Sequence, residues 1–267
     1  MRKRKLRTRI QWVAVIFCMM CGGILLLISA YPVFQDYLEN RKQEQFYQKL
    51  DENDIVSVNQ SVIPTEEQAE PTASGSVETE KPSKTVMKKY EKLLKLNKEV
   101  IGWVKIENSQ INYPIVQHED NTYYLTKASN QEDSSYGSIY LDYRNEPDFQ
   151  DHNNIIYGHN MKDGSMFHNL INYKDEDFFE KNKIIVVSDL YEEFSCQVFA
   201  VYVVDASTEK TYVKYTEEDF LDYIKECKER SLFKTDINVQ EDDRIITLIT
   251  CSYEYENART VVQAKIL

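Results

Sequence analysis

Short apolar or alternating runs recur from residue 100 onward and predict β-strands. They are separated by polar turns rich in Asn, Asp and Ser, as in domains built mainly from strands. The runs are VIGWVKI, QINYPIVQ, GSIYLDY, NNIIYGH, KIIVVS, FSCQVFAVYVV, DRIITLITC and RTVVQAKIL. About eight short strands favour a closed barrel or a sandwich, so we expect a mainly β domain decorated with helices.

Three segments instead repeat apolar residues at helical spacing. The first surrounds Tyr90, before the first strand, and the second is GSMFHNLINY, residues 164–173. The third is TEEDFLDYIKECKER, where Thr216 is the expected N-cap and acidic residues precede basic ones, as the helix dipole favours. Its apolar stripe includes Cys227, which we therefore expect to be buried.

The N-terminal pattern is typical of a membrane anchor. Residues 12–31 carry no charge and are long enough to cross a bilayer as a helix. A secretory signal has a shorter apolar run, about 7 to 15 residues, and a small-residue cleavage site, of which Ser29–Ala30 is a poor example. The basic cluster at residues 2–9 stays in the cytoplasm by the positive-inside rule, so we expect the remaining chain outside the cell.

A polar, Pro-containing segment separates this anchor from the strands. It has no aromatic residue between Tyr47 and Tyr90, which indicates a linker without a core. The predicted organisation is a cytoplasmic basic segment at 1–9, a transmembrane anchor at 10–31, a juxtamembrane helix and disordered acidic linker at 32–85, and an extracellular globular domain at 86–267.

The charge balance disfavours a nucleic-acid partner. Six of the 32 basic residues lie among the first nine positions, and the rest of the chain sets the other 26 against 44 acidic residues. Binding phosphates requires the opposite sign. The acidity is more simply explained by the solubility of an exposed domain.

The cysteines raise a question about one free thiol. Cys18 and Cys21 form a CxxC pattern inside the apolar span, where membrane filler is the better interpretation than redox chemistry. The predicted extracellular part holds three more, Cys196, Cys227 and Cys251, an odd number that cannot all pair internally. At least one thiol outside the cell is therefore expected to be free.

Cys251 ends an apolar strand and faces the polar loop SYEYENA, where side chains can reach a substrate. Burial as a core cysteine remains the alternative. A nucleophilic thiol needs a proton acceptor and a group that stabilises the charge on the attacked carbonyl. His159 ends the strand NNIIYGH in the same manner, whereas His118, His152 and His168 are expected to be solvated loop or helix residues.

Arg259 opens the last strand after a short loop from Cys251. Its guanidinium can bind a carbonyl oxygen or an oxyanion, although a salt bridge to Glu254 or Glu256 is an alternative role. The histidines at 152, 159 and 168 are seven and nine residues apart, which does not match the spacing of zinc ligands. We therefore expect no metal and no cofactor.

Two motifs resemble the sortase family. TLITC, residues 247–251, is similar to its TLxTC signature, YGHN at 157–160 is similar to its histidine segment, and Arg259 stands where the family has its arginine. The text SQINYPIVQ, DNTYYL, GSIYLD, IIYGHNM and GSMF resembles class B members, over about residues 88–267. The resemblance implies an eight-stranded sortase barrel with N-terminal helices and a long helix before the cysteine strand.

The resemblance also implies a reaction. Cys251 would attack the carbonyl after the threonine of a C-terminal sorting signal and form a thioacyl enzyme. An amine of a peptidoglycan precursor, or a pilin lysine, would resolve it. His159 would transfer the protons and Arg259 would hold substrate and oxyanion. The partners implied are a surface protein or pilin with a sorting signal, a wall amine and the membrane.

The family's substrate groove, carried over by position, consists of Asn121, Leu125, Thr208, Tyr212, Val213 and Ile249. Ile249 departs from the small hydroxyl residue that some class B members have there. Two other hypotheses stay open at this point. One is a non-catalytic, anchored module that binds a wall polymer through its tyrosines, with Cys251 buried and inert. The other is a different thiol enzyme of the wall, such as an L,D-transpeptidase or a cysteine peptidase.

Overall fold

The protein is described from a computed structural model, which covers residues 2–58, 85–208 and 211–267. The chain divides into two compact units, the first ending at Gln45 and the second running from Phe46 to Leu267. Helix α1 spans Arg2–Val58. Within it, Ile16–Lys42 is long and apolar enough to cross a membrane. A signal sequence near the N-terminus has the same properties, so the anchor and its orientation stay predictions.

The predicted linker is only partly described. Helix α1 continues to Val58, and residues 59–84 lie outside the described residues. The boundaries of the juxtamembrane and linker segments therefore stay predictions.

In its described residues, the second unit contains three further helices and eight strands, close to the predicted runs. Helix α2 is Lys88–Leu96, α3 is Glu176–Lys181 and α4 is Glu217–Arg230, and short 3-10 helices lie at Tyr123–Leu125 and His168–Lys174. The strands are β1 (Val100–Lys105), β2 (Asn112–Val116), β3 (Ile139–Leu141), β4 (Asn153–Tyr157), β5 (Ile184–Ser188), β6 (Glu193–Asp205), β7 (Ile245–Cys251) and β8 (Ala258–Ile266).

The eight strands close into a barrel in the order β1, β2, β3, β4, β7, β8, β6, β5, with β5 returning to β1. Strand pairs β2–β3 and β4–β7 are parallel and the other pairs are antiparallel. A closed barrel leaves no free sheet edge. The predicted fold class, a mainly β barrel with helices, is confirmed.

The side chains of β7 alternate between two cores because successive residues of a strand point to opposite faces. Ile246 and Leu248 belong to the larger cluster. Ile245 and Ile249 belong to a second cluster, in which α4 packs against β4, β6, β7 and β8. A strand buried on both faces reads as the continuous apolar run that the sequence has here.

Helix α4 forms as its sequence predicts. The Thr216 hydroxyl accepts a hydrogen bond from the Asp219 amide at 3.2 Å, which caps the first turn. Phe220, Ile224 and Cys227 are buried along one stripe. Cys227 is thus a core residue, and the helix covers one face of the sheet that carries Cys251.

The second predicted helix, at residues 164–173, is not an α-helix. The structure has a 3-10 helix that begins only at His168. Met166 lies before this helix and has a positive φ of 55°. The Met166 amide donates to the Tyr113 hydroxyl at 3.1 Å. Helix α3, which was not predicted, follows at once and is capped by Asp175. Apolar spacing alone does not distinguish these short helical forms.

Candidate active site

The ends of β4 and β7 and the beginning of β8 meet at one rim of the barrel. In the parallel pair β4–β7, Tyr157 lies opposite Ile249, and in the antiparallel pair β7–β8, Cys251 lies opposite Arg259. His159 is two residues beyond Tyr157 and Cys251 is two residues beyond Ile249. The register therefore places Cys251 opposite Arg259, and His159 follows just beyond the end of the β4–β7 ladder, at the same rim.

The Cys251 thiol belongs to the face of β7 that also carries Ile249, because the two residues are two positions apart. Cys251 is half-buried and its thiol is free. Cys196 and Cys227 are buried by contrast. Cys251 is therefore not the fully buried core cysteine of the alternative hypothesis.

The ring of His159 is held from the side of the β2–β3 connection. Its Nε2 lies 2.9 Å from the carbonyl oxygen of Leu125. A carbonyl can only accept, so Nε2 carries the proton and donates it, and Nδ1 is left as the nitrogen that can exchange a proton. The His159 carbonyl in turn accepts from the Phe167 amide at 2.8 Å.

Gly158, the residue before this histidine, is required by close packing. A Cβ at this position would overlap Ile139 Cδ1 and would lie 2.7 Å from Phe167 Cγ. Its carbonyl accepts from the Thr250 hydroxyl at 2.8 Å. The chain therefore passes tightly between β7 and the core as it leaves β4, which limits where the imidazole can lie.

Arg259 is half-buried at the start of β8, and its Nη1 donates to the carbonyl of Ala258 at 2.9 Å. The alternative salt bridge to Glu254 is not formed, because Glu254 pairs with Lys174. Among residues 85–208 and 211–267, Arg259 forms no salt bridge. Its remaining donors can therefore serve a ligand.

A cavity of about 120 Å³ lies beside this arginine. Its walls include Ile249, Arg259, Tyr157 and Thr211. The cavity is on the face of the sheet that carries Cys251, and its volume suits a single side chain. Ile249 is thus placed where its size affects what the cavity accepts.

The other predicted groove residues do not all lie in this cavity. Thr208 and Tyr212 line a separate groove along α4. Val213 packs against the cluster under α4 and its carbonyl accepts from the Asn153 amide at 3.1 Å. Leu125 reaches the site through its carbonyl, as described for His159.

Asn121 acts through a buried carboxylate that the sequence analysis missed. Its Nδ2 donates to Asp142 Oδ2 at 3.0 Å and its Oδ1 accepts from the Tyr143 amide. Asp142 is fully buried and also accepts from the Tyr157 hydroxyl at 3.1 Å. Burial raises the pKa of Asp142, but the hydrogen bonds from Arg144 and Asn121 outweigh it and hold that pKa below its ordinary value.

Tyr140 is a second neighbour that the sequence analysis missed. Its ring centroid lies 5.3 Å from that of Tyr157 on the adjacent strand. Burial, with the negative charge of Asp142 and of the Cys251 thiolate, raises the pKa of Tyr140 to about 12, and Arg259 opposes this rise. A neutral phenol therefore lies within electrostatic range of both Cys251 and Arg259.

The loop from Cys251 to Arg259 is closed by its own polar cluster. Ser252 is buried and its hydroxyl accepts from Thr260 Oγ1 at 3.0 Å and from Lys174 Nζ at 3.3 Å. Glu254 accepts from Ser252 and from Lys174. The loop is thereby tied to the end of the 3-10 helix at His168–Lys174, and both ends of the loop are fixed beside the thiol.

His118, His152 and His168 were expected to be solvated, but in the structure each of them is half-buried. His118 bonds to Glu99 Oε1 at 2.8 Å, and the His152 ring centroid lies 5.0 Å from that of Phe220. His168 bonds to Asn160. In the described parts of the chain, no group of three or more His, Cys, Asp or Glu side chains could hold a metal ion.

Comparison with known proteins agrees with this geometry. Residues 104–267 match the family model described as the sortase domain. The chain belongs to the sortase family. The sortase B of Listeria monocytogenes is 42% identical over 181 residues, which cover 66% of this chain and 72% of the relative. Sortases are cysteine transpeptidases, and the predicted family and enzyme class are confirmed.

Solved structures support class B within the family. The Staphylococcus aureus sortase B–substrate complex has a TM-score of 0.70 and 31% identity, covering 86% of this chain and 98% of that one. A sortase B complexed with triglycine has a TM-score of 0.71 and 31% identity, covering 87% and 98%. The barrel and its helices are thus those of sortase B structures.

Proposed function

We propose that this protein is a class B sortase that cleaves a C-terminal sorting signal after a threonine and joins the new carboxyl group to an amine. The observation that carries the proposal is the meeting of His159, Cys251 and Arg259 at one rim, where β4 and β7 end and β8 begins. A thiol, a proton donor and a fixed cation side by side are the groups that acyl transfer requires.

The first step is acylation. The Cys251 thiolate attacks the carbonyl carbon after the threonine, and the guanidinium of Arg259 binds the oxygen on which charge develops. The C–N bond then breaks as His159 gives a proton to the leaving amine. A thioester to Cys251 Sγ remains, and the downstream segment is released.

The second step returns the enzyme to its starting state. The acceptor amine attacks the thioester carbonyl and loses a proton to His159, and the thiolate of Cys251 leaves. The acceptor is an amine of a peptidoglycan precursor or a pilin lysine. The substrate complex and the triglycine complex of sortase B structures support a peptide donor and a glycine amine as the two ligands.

The small cavity beside Arg259 is proposed to hold one side chain of the sorting signal. Ile249, Tyr157 and Thr211 form its walls. Asn121, Leu125, Thr208, Tyr212 and Val213 are proposed to shape the remaining groove. The N-terminal helix is proposed to anchor the catalytic domain outside the cell, with the basic residues 2–9 on the cytoplasmic side.

The experiment that tests this function uses a library of C-terminal motif peptides with triglycine as the acceptor. Release of the downstream fragment is measured by chromatography, and the adduct on Cys251 by mass spectrometry. We expect Cys251→Ala to abolish release and His159→Ala to reduce it by a factor of about 10² or more. Cleavage by Cys251→Ala at the wild-type rate would refute the proposal.

Arg259→Lys separates a substrate-binding role from a simple positive charge. Lysine keeps the charge but lacks the planar fork of donors, so we expect a loss of about tenfold or more in kcat/KM. Lys265→Arg, in a half-buried pair with Asp243 further along β8, is the matched control and should leave turnover unchanged. If Arg259→Lys turns over the peptide at the wild-type rate, the proposed role of Arg259 in binding substrate and oxyanion is wrong.

A further inference from the structure

The side chain of Asn160 lies between the backbone of Cys251 and the ring of His168. Its Nδ2 donates to the carbonyl oxygen of Cys251 at 2.8 Å, and its Oδ1 lies 2.7 Å from His168 Nδ1. The residue is buried, with 8% of its surface exposed. Both ends of the amide are thus engaged inside the protein, directly after His159 in the chain.

The orientation of this amide is defined by its partners. The Cys251 carbonyl can only accept, so the amide nitrogen must face it and the amide oxygen must face His168. His168 therefore donates from Nδ1. The proton on this histidine nitrogen keeps Asn160 turned toward the nucleophile's strand rather than away from it.

The backbone hydrogen bonds between β4 and β7 end before Asn160. The last β4–β7 contacts are made around Gly158, whose amide donates to the Ile249 carbonyl at 3.2 Å. Beyond it, Asn160 turns toward Met166 in an isolated bridge. The Asn160 side chain therefore supplies, at the level of Cys251, the cross-strand hydrogen bond that the backbone no longer makes.

We propose that Asn160, oriented by His168, is a positioning residue that sets the distance between the imidazole of His159 and the thiol of Cys251. Its backbone follows that of His159 directly, and its side chain donates to the backbone carbonyl of Cys251. This inference rests on the proposed function, because it assigns a task within that reaction. Asn160 does not line the cavity beside Arg259, so it should affect the chemical steps rather than peptide binding.

The expected effect follows from the sensitivity of reacting groups to placement. A misplacement of about 1 Å can cost around 10²-fold in rate. We therefore expect Asn160→Ala to lower kcat by about 10- to 100-fold and to leave KM within about twofold. Asn160→Asp, which keeps the shape but lacks the donor, should behave in the same way.

His168 allows a sharper comparison. Asparagine places its Nδ2 close to where histidine has Nδ1, so His168→Asn keeps the donor and His168→Leu removes it. We expect His168→Asn to restore most of the activity that His168→Leu loses. The double variant Asn160→Ala/His168→Leu should lose no more than Asn160→Ala alone, since both act through one hydrogen-bonded chain.

The experiment uses the full chain in detergent, with the library peptide that the wild-type protein cleaves fastest and triglycine as acceptor. kcat and KM are measured together with the melting temperature and the pH profile of Cys251 alkylation by iodoacetamide. Asn169→Ala is the matched control. That amide accepts from the Gln110 backbone at 2.8 Å in the same region but has no link to Cys251, so kcat and the alkylation profile should not change.

Two results would overturn the inference: wild-type kcat in Asn160→Ala, or a change in KM alone. If Asn160→Ala does not fold, Asn160→Asp and His168→Leu decide the question by the same measurements. Failure of the proposed function is recognised separately, because Cys251→Ala would then still cleave the peptide. Loss of cleavage in Cys251→Ala with a normal Asn160→Ala refutes the positioning role only.

Discussion

Arg144 holds Asp142 at two points. Its Nε donates to Oδ1 and its Nη2 to Oδ2, each at 2.8 Å. Its Nη1 donates to the carbonyl of Thr211 at 3.1 Å, while Asp142 itself accepts from Tyr157. Tyr157 and Thr211 are both walls of the cavity beside Arg259. The pair therefore joins two walls that come from different parts of the chain.

We expect Asp142→Asn to lower the free energy of unfolding by about 1 to 3 kcal/mol, because the buried side chain loses its charge-assisted hydrogen bonds from the partly exposed Arg144. KM for the cleaved peptide should rise more than kcat falls, since the cavity walls lose their link. Urea denaturation and steady-state kinetics measure the two effects. Asp148→Asn is the control at an exposed Asp, and equal behaviour of the two variants would contradict the prediction.

The second prediction concerns Glu254 and the pH dependence of the protein's stability. Burial raises its pKa, but the hydrogen bonds from Lys174 and Ser252 outweigh it and lower the pKa to about 2. A lowered carboxyl pKa contributes stability above the ordinary value, about 4.3, and this contribution is lost as pH falls from there toward 2. Glu254→Gln should therefore be less stable than wild type at pH 6, and the difference should shrink by pH 3.

Urea midpoints at several pH values measure this difference. Glu256→Gln, at an exposed position in the same loop, is the matched control and should track the wild type. A gap between Glu254→Gln and wild type that stays constant from pH 6 to pH 3 would show that the carboxylate of Glu254 contributes nothing through its charge.

Gly158 leads to a third prediction. In Gly158→Ala the new methyl group would overlap Ile139 Cδ1, so the segment carrying His159 must move. Overpacking of this kind costs about 1 to 3 kcal/mol, and turnover should fall with it. Adding Ile139→Val removes the nearest atom and should recover part of both losses, as judged by melting temperature and kcat. No recovery would mean that the contact with Ile139 is not the cause.

The thiols give a fourth prediction. Burial raises the pKa of Cys196 to about 12 and that of Cys227 to about 11. Thiolates are the reactive form, so iodoacetamide at pH 7.5 should label the peptide that contains Cys251 well before those that contain Cys196 or Cys227. Labelling is followed by mass spectrometry of the digested protein. Equal labelling of Cys227 in the folded state would contradict the burial under α4.

The strands, and the position of Cys251 at the end of one of them, could be predicted from the sequence because both depend on local patterns. The apolar run ITLIT is continuous since β7 is buried on both faces, and Cys251 marks its end. Thr216 and the stripe of α4 are equally local signals. The family motifs around His159 and Cys251 then indicated the chemistry.

What the sequence could not show depends on contacts between distant residues. The parallel pairing of β4 with β7, which brings the segment before His159 beside the strand that ends at Cys251, is a matter of topology. Asp142 and Asn160 were each inside a quoted motif, but their partners lie elsewhere in the chain. The 3-10 helix at His168–Lys174 shares its apolar spacing with an α-helix, so only the backbone distinguishes them.

The pairing of β4 with β7 also constrains the order in which activity can appear during synthesis. His159 and Cys251 are separated by about ninety residues of chain, and their alignment is made by non-local strand pairing, which forms slowly. A chain that emerges from its N-terminus has β1 to β6 and α4 available before any thiol can stand beside the imidazole. On the proposed function, a partly emerged domain has no reacting pair, and acylation of a peptide starts only after β7 and β8 have joined the barrel.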